Sequence, residues 1–179
     1  CIMKTPCFSI IIPTKNRSAI VGNAIKSLLM QTFTDFEILV VDNDDTDATT
    51  KVVMSFDDNR IVHLRTGNLS MPDNWEYGTT KCRGEYIFFL EDKQVLKLKS
   101  LQKIFGAVNS GNHQVVTWLM DFFVDGKVVR NPTFPGTGEC TILPSDRVFS
   151  GLVNFELTGL GDFTPRGINS CVHRDLVAK

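Results

Sequence analysis

The sequence contains 179 residues, 42% of them hydrophobic, and a chain of this size can bury roughly 70% of its unfolded surface around one core. Charged residues make up 22% and the formal net charge is -1, so broad binding to nucleic acid or another polyanion is excluded. Five cysteines without a CxxC pair argue against a zinc or dithiol redox site and favour a reducing compartment. No apolar run approaches the roughly 20 residues of a membrane span, so we expect a cytoplasmic protein that is at most peripheral to the inner face of a membrane.

The first 110 residues alternate between short apolar runs and amphipathic segments. The apolar, β-branched runs predict four strands, at 8–12, 36–41, 61–64 and 86–90. Periodic apolar positions predict helices between and after them: one capped by Ser18, one carrying Val52, Val53 and Phe56, one from about Asn74, and one whose apolar face runs from Leu98 to Val108. This alternation predicts an α/β fold with a mostly parallel central sheet and helices on both faces.

The strand pattern continues past residue 110 and weakens beyond residue 140. A fifth strand is predicted over 115–123, and Asp125-Gly126 is a hairpin-turn signal ahead of another short strand. Further on, we predict only a short strand over 152–157 and a helix that starts near His173.

Polar residues follow each of the first four strands. They form four clusters, at 14–17, 42–47, 65–68 and 91–94. Ligands of open α/β sheets bind outside the carboxyl ends of the strands, so these clusters predict a site for a phosphate-bearing ligand. Neither GxGxxG nor GxxxxGK[ST] follows the first strand, which excludes the dinucleotide and Walker-type phosphate loops. The acidic loop also lacks the glycine and glutamate spacing of an EF-hand.

Four segments carry a resemblance to a known family through their order and spacing. They are FSIIIPTKNR (8–17), SLLMQTF (27–33), EILVVDN (37–43, followed by Thr46-Asp47) and GEYIFFLED (84–92). Together they resemble the inverting family 2 glycosyltransferases of GT-A fold over about residues 7–110. The resemblance implies one Rossmann-like GT-A domain over 1–179, with its nucleotide-sugar-binding part at 7–110. The acceptor-side part, 111–179, is expected to be incomplete.

The resemblance also implies an activity. It is transfer of a sugar from a nucleotide-diphosphate-sugar, with UDP favoured as the nucleotide, to a hydroxyl of a saccharide or glycolipid acceptor, with inversion, in cell-surface polysaccharide or glycolipid synthesis. A non-catalytic nucleotide-sugar-binding or scaffold module of the same fold stays an alternative. A nucleotidyltransferase is disfavoured because no glycine-rich loop follows the first strand.

Carried over residue by residue, the resemblance assigns a nucleotide-binding set. Its members are Pro13, Thr14, Lys15, Asn16, Arg17 and Asp42, and Asn68 at the end of the third strand is expected to join them. Asp42 is the position whose carboxylate would accept a hydrogen bond from the base edge. Asp45, Thr46 and Asp47 are better explained as caps of the helix that follows.

The diphosphate and metal region reads Glu91-Asp92-Lys93-Gln94, where family members commonly carry a DxD-type run that holds Mn²⁺ or Mg²⁺. If the run is extended, Asp92 and Gln94 share one side and Asp92 could hold a metal with help from Gln94. Alternatively, Lys93 replaces the cation as a point charge on the diphosphate. The run favours weak or absent metal dependence over a standard metal site.

Inversion needs a general base, and the catalytic residue is not identified by any motif. The carboxylates available downstream are Glu139, Asp146, Glu156 and Asp162, of which Glu156 and Asp162 are the candidates retained, and the base could also lie beyond residue 179. Trp75 is interpreted as packing on the sheet, and His63 as structural because it lies in an apolar strand. His173, with Arg166 and Arg174, is a weak candidate for contact with the diphosphate.

Overall fold

A computed structural model describes residues 5–111, 113–118, 122–124, 127–129 and 170–177. In chain order the elements are β1 (Phe8–Thr14), α1 (Ser18–Leu29), β2 (Phe36–Asp42), α2 (Ala48–Met54), β3 (Ile61–Arg65), α3 (Met71–Thr80), β4 (Tyr86–Phe89), α4 (Ser100–Asn109), β5 (Val115–Thr117), β6 (Phe122–Val124), β7 (Lys127–Val129), β8 (Ser170–His173) and a 3-10 helix (Arg174–Leu176). Within these described ranges, no helix is both long and apolar enough to cross a bilayer.

Six of the strands form one sheet in the order β3-β2-β1-β4-β8-β5. The neighbours among β1 to β4 are parallel, whereas β8 pairs antiparallel with both β4 and β5. The predicted mostly parallel α/β sheet is therefore confirmed. β6 and β7 form a separate antiparallel pair, as the Asp125-Gly126 turn signal predicts. The predicted strand 115–123 is wrong as one element, because its ends belong to β5 and β6 in different sheets.

The sheet is covered on both faces. On one face α1, α2 and α4 bury an apolar cluster with alternate residues of the central strands, among them Ile10, Ile38 and Phe88. On the other face Tyr77 of α3 packs against the opposite set, which includes Ile11. Gly78 allows this approach, since a Cβ there would lie 2.8 Å from Cγ2 of Ile11. Helices on both faces, as predicted, leave the strand ends as the place for a ligand.

Several predicted helix ends shift by a few residues. The first helix begins at Ser18, but Arg17 occupies the N-cap position and no side chain caps the helix. Phe56 lies beyond the end of α2, although it still packs against the core. Leu98 precedes α4 and is 53% exposed, so the buried face of that helix is Leu101, Ile104 and Val108. Apolar periodicity gives the buried face of a helix more reliably than its ends.

The helix predicted to start near His173 is a single 3-10 turn, Arg174–Leu176, with His173 at its N-cap position, and it follows a strand that was not predicted, β8 (Ser170–His173). Pairing on both sides decides the conformation: Val172 pairs with Ile87 of β4 and with Val115 of β5. His173 pairs with Tyr86, the first residue of β4, and so lies at the edge of the sheet opposite the polar clusters.

This position, away from the polar clusters, contradicts the predicted contact of His173 and Arg174 with a diphosphate. Arg174 donates from Nη1 to the carbonyl of Arg83 over 2.9 Å, ahead of β4. Arg166 and the predicted strand 152–157 lie outside the described residues.

The buried thiols give a direct test of this packing. Burial raises the pKa of Cys82 to about 12 and that of Cys171 to about 12. Because the thiolate is the reactive form, iodoacetamide at pH 8 is expected to modify neither residue in the native protein and both after unfolding. Mass spectrometry of peptides after native labelling measures this, with the half-buried Cys7 as the internal comparison. Native labelling of Cys171 at the rate of Cys7 would contradict the placement of β8.

Candidate functional site

Three of the polar clusters meet at the carboxyl ends of the parallel strands, which are called the site edge of the sheet below. Thr14 and Asp42 end β1 and β2 as Cα partners, and the backbone N–H of Asn43 donates to the carbonyl of Thr14 over 3.0 Å. Oγ1 of Thr14 donates to Oδ2 of Asp92 over 2.9 Å. The backbone N–H of Leu90 also donates to the carbonyl of Ile11, which continues the pairing of β4 with β1. The predicted convergence of these segments is confirmed.

The carboxylate of Asp42 is fully buried beneath this edge. Its Oδ2 lies 2.9 Å from Nε2 of His63 and 3.3 Å from Oγ1 of Thr50. Its Oδ1 accepts from the backbone N–H of Asp44 over 3.0 Å. Asp42 therefore holds β3, α2 and its own loop together, and its contact with a base stays a prediction.

The loop after β1 is fixed by the loop after β2. Asn16 has a left-handed φ of 55°, and its backbone N–H donates to Oδ1 of the buried Asp44. Its Nδ2 donates to Oδ2 of Asp45 over 2.9 Å. Oδ2 of Asp44 is buried and has no hydrogen-bond partner among the described residues. These contacts set the direction in which Lys15 and Arg17 leave the sheet.

Of the three residues predicted to cap α2, which are Asp45, Thr46 and Asp47, only Thr46 does so in the described structure. Oγ1 of Thr46 accepts from the backbone N–H of Ala48 over 3.3 Å. Asp47 occupies the N-cap position, but its carboxylate pairs with Arg65 at the end of β3. Capping by Asp45 and Asp47 is therefore wrong, because each carboxylate has a cross-loop partner instead.

The loop 66–70 is held by the side chains of two asparagines, Asn43 and Asn74, for which no sequence motif indicates this role. Asn43 accepts from the backbone N–H of Leu69 over 2.9 Å and donates to its carbonyl over 2.8 Å. Oδ1 of Asn74 accepts from Oγ1 of Thr66 over 2.5 Å. With this support, Asn68 takes a left-handed φ of 62° and stays exposed.

The predicted nucleotide-binding residues thus fall into two groups. Those beneath the edge are buried: Pro13, Thr14 and Asp42. Those on the surface are exposed: Lys15, Asn16, Arg17 and Asn68. Only the exposed group offers side chains to a ligand without rearrangement, while the buried group positions the loops.

The acidic run 91–94 is a turn, so the extended backbone that would place Asp92 and Gln94 on one side is not formed. The backbone N–H of Gln94 donates to the carbonyl of Glu91 over 2.9 Å. The side chain of Gln94 returns to the same residue: Nε2 donates to Oε2 of Glu91 over 3.3 Å, and Oε1 accepts from its backbone N–H. These contacts take Gln94 away from the predicted role of sharing a metal with Asp92.

Each carboxylate of this run has a cation beside it. Nη1 of Arg17 lies 3.0 Å from Oδ1 of Asp92, and Nζ of Lys93 lies 3.4 Å from Oε2 of Glu91. Asp92 is 3% exposed, whereas the side chain of Arg17 is 55% exposed. The Arg17 and Lys93 side chains therefore face outward, and the carboxylate of Asp92 is buried.

These residues do not fit a divalent cation well. No group of three or more His, Cys, Asp or Glu side chains able to hold a metal occurs in the part of the chain that the structure describes. A dication bound to Asp92 would lie near the Arg17 guanidinium. At about 4 Å and an effective dielectric near 20 their repulsion is on the order of 8 kcal/mol. A metal at Asp92 would first have to displace Arg17.

The predicted packing of Trp75 on the sheet is confirmed. Its ring stacks on Phe89 at the end of β4 with centroids 4.6 Å apart. The candidate bases Glu139, Asp146, Glu156 and Asp162 all lie outside the described residues.

Comparison with known proteins agrees with this arrangement. The family model described as glycosyl transferase family 2 matches residues 9–161. A GalNAc(5)-diNAcBac-PP-undecaprenol beta-1,3-glucosyltransferase of Campylobacter jejuni is 34% identical over 110 residues, covering 59% of this chain and 36% of that protein. A PGL/p-HBAD biosynthesis glycosyltransferase of Mycobacterium bovis is 31% identical over 116 residues, covering 63% and 44%. The chain thus spans less than half the length of these relatives.

Solved structures share the fold. The crystal structure of Staphylococcus aureus TarS 1-349 in complex with UDP-GlcNAc superposes with a TM-score of 0.71 at 22% identity, covering 96% of this chain and 46% of that one. Such a likeness shows the architecture, which is the GT-A glycosyltransferase fold predicted from the sequence. Because the family model spans most of the sequence, this chain belongs to glycosyl transferase family 2.

Proposed function

We propose that this chain is the donor-binding part of a glycosyltransferase that moves a sugar from a nucleotide-diphosphate-sugar to an acceptor hydroxyl with inversion. The observation that carries the proposal is the hydrogen bond between Thr14 and Asp92 at the shared edge of β1 and β4. It joins the loop predicted to follow the nucleotide to the run predicted to meet the diphosphate. One bound nucleotide-sugar could then touch both segments.

The exposed residues suit the parts of such a donor. Lys15 and Arg17 would meet the negative charge of the diphosphate, since both lie on the loop fixed by Asp44. Asn68 offers an exposed amide that can donate to and accept from a ribose or base. We favour UDP as the nucleotide because the TarS structure of the same fold holds UDP-GlcNAc.

The acceptor is proposed to be a saccharide or a lipid-linked saccharide of the cell surface. The Campylobacter jejuni relative is named for an undecaprenol-linked acceptor. An acceptor of this kind would place the protein at the inner face of a membrane without requiring a span of its own. The general base that takes the hydroxyl proton is proposed to lie in the part of the protein after the described donor site.

A change at Lys15 tests the donor site. We expect UDP to bind, and Lys15→Ala to weaken binding by roughly three- to tenfold, because a charge-assisted contact to phosphate is lost. Isothermal titration calorimetry with UDP, GDP and dTDP measures both the affinity and the base preference. Lys81→Ala is the matched control, since Lys81 is exposed after the end of α3, at the opposite edge of the sheet. Equal losses in the two variants would contradict the placement of the site.

The ion-paired acidic run also favours a second candidate, a module that binds nucleotide-sugars without turnover. Both of its carboxylates are already countered by Arg17 and Lys93. Release of nucleoside diphosphate from UDP-, GDP- and dTDP-sugars separates the two candidates. Turnover supports the transferase, and tight binding without release supports the module.

A further inference from the structure

The cations beside the acidic run point to a way of binding the diphosphate that differs from metal coordination. We propose that Arg17, held by Asp92, takes the place of the divalent cation and binds the donor diphosphate directly, with Lys93 as the second positive charge. This inference rests on the proposed donor site. It assigns Asp92 to positioning Arg17 instead of ligating a metal.

The geometry prepares Arg17 for this role. Its contact with Asp92 uses Nη1, and just over half of the side chain stays exposed. A guanidinium has five N–H donors in a planar fork, so it can keep its bond to the carboxylate and still donate to phosphate oxygens. The backbone of Arg17 is fixed as well, because its carbonyl accepts from the N–H groups of Ile20 and Val21.

Asp92 is built as a support for this cation. Its carboxylate is 3% exposed, and both oxygens are in use: Oδ2 accepts from Thr14 and Oδ1 accepts from Arg17. Here the group facing outward is the guanidinium.

The number of positive charges matches that of a metal. Arg17 and Lys93 together carry two positive charges, the same as one Mg²⁺ or Mn²⁺, and Asp92 and Glu91 counter them as carboxylates counter a bound metal. Lys93 is 61% exposed and 3.4 Å from Glu91, so only a surface ion pair has to yield when phosphate arrives. The diphosphate would therefore meet two cationic side chains that are already in position.

The test is UDP binding in EDTA and in excess Mn²⁺, measured by calorimetry for the wild type and two variants. We expect the wild type to bind UDP in EDTA, with an affinity that Mn²⁺ changes by less than about threefold. Arg17→Gln should weaken binding in EDTA by about tenfold or more, as loss of a charge-assisted phosphate contact does. Asp92→Asn should retain binding within about threefold, because an amide oxygen can still support Arg17.

Arg60→Gln is the matched control. It removes one arginine and one Arg–Asp pair, and Arg60 directly precedes β3, at the amino ends of the parallel strands and away from the site. Circular dichroism establishes that each variant is folded. If UDP binds only with Mn²⁺, and Arg17→Gln binds as tightly as the wild type while Asp92→Asn loses binding, the inference is overturned and the donor site stands. If UDP, GDP and dTDP bind in neither buffer, the inference and the proposed function both fail.

Discussion

Replacing Gly84 by alanine is expected to destabilise the protein by about 3 kcal/mol, the upper end of what overpacking costs. A Cβ at this position would lie 2.4 Å from the backbone N of Ser9 and 2.7 Å from the backbone C of Phe8. Both atoms belong to β1, which is bonded on both sides by β2 and β4 and cannot move aside. The substitution would also disturb the 2.7 Å bond from the Gly84 N–H to Oγ of Ser9.

Urea unfolding followed by circular dichroism measures this loss. Gly106→Ala is the matched control, because it adds the same methyl group within α4 and no atom lies within 4 Å of the added Cβ. There the change should stabilise by up to about 1 kcal/mol, since alanine favours the helix and restricts the unfolded chain. The close approach of residue 84 to β1 is refuted if both alanines shift the midpoint in the same direction.

Asp42→Ala is expected to lower the free energy of unfolding by about 3 kcal/mol. The substitution removes the acceptor for His63, Thr50 and the backbone N–H of Asp44 at a fully buried position. Buried donors left without a partner cost about 1–3 kcal/mol each, and part of this is recovered where water reaches His63. The contacts that join β3, α2 and the loop after β2 at the site would be lost together.

Asp45→Ala provides the control for Asp42. Asp45 is exposed, and its bond to Nδ2 of Asn16 is open to solvent, so we expect a change within about 0.5 kcal/mol. The urea midpoints of the two variants measure which aspartate stabilises the fold. An Asp42→Ala protein as stable as the Asp45→Ala protein would show that Asp42 is not part of the framework and would favour its direct contact with the base.

Much of the central sheet could be predicted from local sequence. Each of the first four strands is a short apolar run with a polar segment after it, and the buried faces of α1 and α4 follow from 3.6-residue periodicity. β8 could not be found in this way. Its four residues, Ser170–His173, form a strand because β4 and β5 flank them, and neither partner is near in sequence.

The site was predictable in position and less so in detail. Strand ends at one edge bring Thr14, Asp42 and Asp92 together whatever their partners are. The pairing of Arg17 with Asp92 spans 75 positions and depends on how two loops fold, which no local pattern encodes. Comparing Asp92 with its sequence neighbours Lys93 and Gln94 therefore cannot identify Arg17 as the cation that contacts it.

The contact of His63 with Asp42 could have been predicted from strand register. It pairs in register with Val40 of β2, and alternate residues of a strand share a face. Ile61 and Val40 pack in the same cluster, so His63 lies on the face that Asp42 also occupies. The register of β2 with β3 therefore indicates His63 as a hydrogen-bond partner of the buried Asp42.

The antiparallel strand β8 has a consequence for biosynthesis. During translation, β1 to β4 emerge long before residues 170–173, so β4 has an unpaired hydrogen-bonding edge while the intervening segment is made. β5 also lacks its partner in the sheet until the same four residues are made, because it pairs with β8. Such open edges recruit other chains, and closing them through distant residues is slow. A nascent chain of this protein is therefore most exposed to aggregation before residues 170–173 have paired with β4 and β5.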